Sequence, residues 1–162
     1  MNVTKYLCLA LLLGAVAGCD DKKPDSSKEP PKGTKKDDKK SEHGHGAGPN
    51  GGVIFDFGKD HAEFTVNHDK KECYILFIDG DNEKAKPLAV AATELTVTTK
   101  PSKTKDGKDV PAMTIKMKPT DAKDGKATKF VGTDPGLGNV ADFEGNVVGE
   151  VGGKPAEGEF KE

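Results

Sequence analysis

The sequence predicts an all-β domain, an antiparallel β-sandwich, Ig-like or a related barrel, carried behind a disordered tether. Three observations predict it. Period-two alternation of apolar and polar residues recurs in about eight short runs after residue 49. Gly, Pro, Asn and Asp punctuate those runs. No segment carries the 3.6-residue apolar period of a long amphipathic helix. The length of 162 residues suits one domain.

The chain opens on an apolar run, Leu7 to Cys19, preceded by Lys5 and closed by Val16-Ala17-Gly18-Cys19. It is short for a membrane-spanning helix of about 20 residues, and small residues before a cysteine fit a cleaved targeting segment. These residues resemble the bacterial lipobox. That resemblance implies removal of residues 1–18 as a lipoprotein signal peptide, lipid on the Cys19 sulfur, and a mature protein anchored to a membrane and facing the periplasm or exterior. An ordinary secretory signal or a membrane anchor is the competing reading. Which membrane holds the lipid stays open.

Residues 19–48 follow as the tether. Between Asp20 and Glu42 the chain is almost wholly Lys, Asp, Glu, Pro and Ser, as in Asp25-Ser26-Ser27-Lys28-Glu29-Pro30-Pro31. Such a stretch cannot bury enough surface to offset its conformational entropy. Its charges nearly balance, which favours a soft tether over a stiff one. The full chain has a net charge of -2, every basic residue is a lysine, and tryptophan is absent. Bidentate base readout and base stacking therefore lack their usual side chains, and no nucleic-acid partner is expected.

The β domain is read as 49–162. Val53 to Phe57 and His61 to Asn67 form a strand pair around the turn Gly58-Lys59-Asp60. In the second strand Ala62, Phe64 and Val66 share one face, which leaves His61, Glu63, Thr65 and Asn67 towards solvent or a site. Cys73 to Ile78 is apolar on both faces and reads as a central strand. Asp79-Gly80-Asp81-Asn82 is a turn, because Lys84 and Val90 stand where a calcium loop requires glycine and glutamate. Pro87 to Ala91 reads as an edge strand, Glu94 to Thr99 as a strand, and Pro101 to Asp109 as a charged loop. Ala112 to Lys118 alternates again with Met113, Ile115 and Met117 on one face; methionines so placed fill cores more often than they hold copper(I). Thr128 to Val131 is a strand, and Thr133-Asp134-Pro135 caps a short helical turn. Asn146 to Val151 and Lys154 to Phe160 close the chain as a hairpin around Gly152-Gly153.

Enzyme signatures are missing. The serines lie in the tether or a loop with no nucleophile elbow, and neither H-E-x-x-H nor a P-loop occurs, so no catalytic residue is assigned. Cys8 leaves with the signal and Cys19 would carry lipid. Cys73 remains as a lone thiol at the head of an apolar run, read as a small buried hydrophobe.

All four histidines lie between His43 and His68. Imidazole nitrogens suit zinc and copper, and His43 with His45 on a glycine-flexible segment can reach His61 and Glu63. These four are the candidate ligands for Cu or Zn, with His68 a weaker one. Affinity for a metal would fall below about pH 6.5, where free imidazole takes up a proton. The competing reading makes the Gly-His segment a solvated spacer. His43-Gly44-His45 through Pro49-Asn50-Gly51-Gly52, with His61-Ala62-Glu63, resembles a segment of small bacterial envelope lipoproteins and is similar to the histidine-rich leaders of heavy-metal efflux adaptor subunits. The lipoprotein likeness runs on through Phe130-Val131-Gly132 and Gly153-Lys154-Pro155 to Gly158-Glu159-Phe160. The resembled pattern has a further histidine before the paired glycines, where this chain has Asn50. The expectation is a non-enzymatic, lipid-anchored protein that binds a metal, or else a structural or protein-interaction module with an envelope protein as partner.

Overall fold

The computed structural model describes residues 45–162; the predicted export signal, Cys19, most of the predicted tether and His43 lie outside the described residues. Among the described residues ten strands follow in order: β1 (Val53–Phe57), β2 (Asp60–Asn67), β3 (Glu72–Ile78), β4 (Leu95–Thr99), β5 (Ser102–Lys103), β6 (Asp109–Val110), β7 (Thr114–Pro119), β8 (Lys129–Thr133), β9 (Glu144–Val151) and β10 (Lys154–Lys161). Eight of them form one sheet, ordered β1-β2-β3-β8-β7-β4-β9-β10, in which every neighbouring pair is antiparallel. The predicted central strand, β3, lies in the interior of that order between β2 and β8.

The two ends of the sheet meet. The Gly58 amide donates to the Glu157 carbonyl at 3.2 Å, and Gly158 lies so close to the Asp56 carbonyl that any side chain there would collide with it. Phe160 of β10 stacks on Phe64 of β2 at 4.0 Å and lies 6.0 Å from Phe55 of β1. Of the two predicted architectures the chain takes the barrel, nearly closed. Closure shields strand edges that would otherwise present unpaired backbone groups to other chains.

Alternation sorts the side chains between the barrel interior and its surface. All seven phenylalanines are at most 3% exposed. Phe57, Phe77 and Phe130 run through the core in edge-to-face contacts at 5.5 and 5.8 Å, the geometry aromatic quadrupoles favour. Met113, Ile115 and Met117 are buried as the predicted inward face of β7. Asp134 accepts a hydrogen bond from the Gly136 amide at 2.8 Å and caps a single 3-10 turn, Pro135–Gly138, with proline just inside it.

Two segments depart from expectation. Pro87 to Ala91 is no strand: Leu88 donates to the Phe77 carbonyl and Val90 pairs with Ala127, so the segment changes partner within two residues and makes only isolated bridges. Pro87 also has no N–H to add to a ladder. The charged loop from Pro101 is more ordered than its composition implies, because β5 and β6 pair Ser102 with Val110 and Lys103 with Asp109.

Candidate metal centre

β1 and β2 are joined by two residues, Gly58 and Lys59, with Gly58 at φ 64°. A tight hairpin of this kind needs positive φ at its first loop position, which glycine supplies without strain. The turn sets the register: Phe57 opposes Asp60, Asp56 opposes His61, Phe55 opposes Ala62 and Ile54 opposes Glu63. Period two then puts Phe55, Phe57, Ala62 and Phe64 inside and Ile54, Asp56, His61 and Glu63 on the outer face.

Residues 45–52 lie over that outer face as a strap. Ala47 pairs with Val53, the Gly48 amide donates to the Gly52 carbonyl at 2.9 Å, and the Gly51 amide returns to the Gly48 carbonyl at 3.0 Å. Composition alone placed Ala47 and Gly48 in the tether, yet they pack against the first hairpin. The Glu63 carboxylate holds the turn of the strap. Its Oε1 accepts from the amides of Asn50 at 2.9 Å and Gly52 at 2.8 Å, and its Oε2 accepts from Asn50 Nδ2 at 2.7 Å. Gly48 presses on this carboxylate so closely that a side chain there would clash with it. Glu63 is 0% exposed, and three charge-assisted hydrogen bonds offset the loss of its water.

The strap brings His45 to the cross-strand pair Asp56 and His61. His45 Nε2 and His61 Nε2 each stand 3.4 Å from Asp56 Oδ1, and one donor atom from each of the three residues lies within 4.8 Å of the others. The rings are edge-on, 5.4 Å apart at 75°. A separation of 3.4 Å is long for a hydrogen bond between these atoms. The same spacing could accommodate one ion, since bonds of about 2.0–2.1 Å from a tetrahedral centre set neighbouring ligand atoms about 3.3–3.4 Å apart. The side chains of His45, Asp56 and His61 are 10, 47 and 33% exposed, so the cluster opens to solvent on the Asp56 side. A fourth position there is reachable by water or an incoming ligand. The turn lysine, Lys59, is engaged by Asp60 at 2.8 Å.

Of the residues predicted as ligands, the structure brings His45 and His61 together. Glu63 shares their face but is not at the cluster, because both its oxygens are taken by the strap. His43 lies outside the described residues. Asp56 was missed, although counting the turn as two residues rather than three would have set it opposite His61. His68 follows the far end of β2, where its Nδ1 donates to the Leu137 carbonyl at 2.8 Å. Cys73 is buried in the core with its thiol 3.6 Å from the Met117 sulfur, and burial pushes its pKa up to about 12.

No protein-family model matches this chain, and neither a curated protein nor a solved structure does.

Proposed function

We propose that this protein is a non-enzymatic, lipid-anchored envelope protein that binds a transition-metal ion through His45, Asp56 and His61. The observation that carries the reading is the pair of 3.4 Å separations from Asp56 Oδ1 to the two imidazole nitrogens. Two imidazoles and one carboxylate suit zinc or copper(II) better than copper(I), which prefers sulfur. Three protein ligands and a solvent-facing fourth position suit an ion that is taken up and handed on rather than locked into the fold. The Cys19 lipid and the tether of residues 19–44 would hold the site close to a membrane while leaving it free to meet a partner.

Competition with a chelating dye measures the affinity of the mature chain for zinc. His61→Ala removes one ligand of three and is expected to weaken binding by at least about 100-fold, beyond the range typical of residues that only support a ligand. The barrel stays intact because His61 points away from the apolar interior. Equal affinity of variant and parent would refute the site and leave the protein-interaction module as the function.

A further inference from the structure

We propose that Glu63 and Asn50 form a latch that positions His45, and so sets the affinity of a metal site neither of them touches. The inference rests on the metal-binding reading above. His45 and Asp56 differ in how they are held: Asp56 and His61 sit on paired strands, whereas His45 precedes the first strand and reaches the site only through the strap. Single backbone ties, Ala47 with Val53 and Gly48 with Gly52, fix the strap's path. The side chain that closes its turn is Glu63, two residues from His61 on the same face, through the Asn50 and Gly52 amides and the Asn50 carboxamide.

The geometry has a strict donor and acceptor order. The carboxylate can only accept, so Asn50 presents its nitrogen to Glu63 Oε2. With the latch closed, His45 meets Asp56 already in place. With it open, His45 becomes a ligand on a glycine-rich tail, and binding must supply the entropy of ordering that tail. Glu63 is therefore a positioning residue. Its buried carboxylate explains why a glutamate that shares a strand face with His61 is absent from the donor cluster.

Two substitutions in the full mature chain test the latch by zinc competition. Asn50→Asp puts a second carboxylate where the donor stood and should weaken zinc binding about 10- to 100-fold, the range seen when a supporting partner of a metal ligand is lost. Adding Glu63→Gln to that variant restores one donor facing one acceptor, with the order reversed, while the new amide oxygen still accepts from the two backbone amides. Affinity should return to within about threefold of the parent. A purely structural contribution of Glu63 to folding would not produce recovery by a second substitution at the partner. Should Asn50→Asp alone fail to fold, the double variant carries the test: parental affinity supports the latch and persistent loss overturns it. Parental affinity in Asn50→Asp, beside weakened binding in His61→Ala, overturns the latch and leaves the site standing. Parental affinity in His61→Ala removes the site itself.

Discussion

On the outer face of the first hairpin, His45, Asp56 and His61 converge their donor atoms, whereas on the inner side of the barrel Cys73 and Met117 bring two sulfurs to 3.6 Å. Both clusters consist of good ligand atoms in contact. They differ in what an ion would have to displace. At the hairpin an ion would meet a half-exposed carboxylate and two imidazoles whose Nε2 atoms each stand 3.4 Å from it. At the sulfur pair it meets a thiol that burial holds protonated, with a pKa of about 12, inside packing that an ion could enter only by opening the core. Nearness of donor atoms is therefore necessary for a site but does not make one by itself. Their protonation state and access to solvent decide it.

The largest expected effect lies on the sulfur side. Met117 is 0% exposed, so Met117→Ala should lower the stability of the barrel by about 2–5 kcal/mol in denaturant titrations. Zinc affinity should not change, since the substitution lies across the sheet from the outer face. A Met117→Ala chain that stays folded but loses its affinity for zinc would erase the distinction between the two clusters.

A second effect, spread over pH, follows from the Cys73 thiol. Its ordinary value is 9.0 and burial raises it to about 12, so as pH climbs between these values the unfolded chain gives up the thiol proton and the folded chain keeps it. The stabilisation from this group is whole below pH 9.0 and is lost as pH approaches about 12. The stability difference between parent and Cys73→Ala should therefore narrow with rising pH by up to about 1.4 kcal/mol per unit. Parallel stability profiles for the two chains would show that the thiol ionises as freely in the barrel as outside it.

Much of the barrel was legible because alternation and turn chemistry are local. Val53 to Phe57 was read with its true ends, and the strands at His61 and Cys73 each begin one residue earlier than read. Two segments were not legible: the path at Pro87 depends on the distant Phe77 and Ala127, and the local pair β5 and β6 is too short, at two residues each, to show alternation within a lysine-rich loop. At the site, periodicity put His61 and Glu63 on one face. Periodicity says nothing of what lies over a face, and the strap that covers Glu63 and delivers His45 is written in glycines whose small size matters only once packed. Asp56 needed the hairpin register, which turned on counting Asp60 as the first paired residue after the turn rather than the last residue of it.

The central claim is that one ion binds to His45, Asp56 and His61, and histidine ring NMR of residues 19–162 tests it most directly. The chain is studied as Cys19→Ser, which removes the proposed site of lipid attachment. One equivalent of zinc at micromolar protein should shift the ring resonances of His45 and His61 together and leave those of His68, held at the Leu137 carbonyl, in place. Ring resonances of His45 and His61 that stay unmoved, or a shift confined to His68, would contradict it.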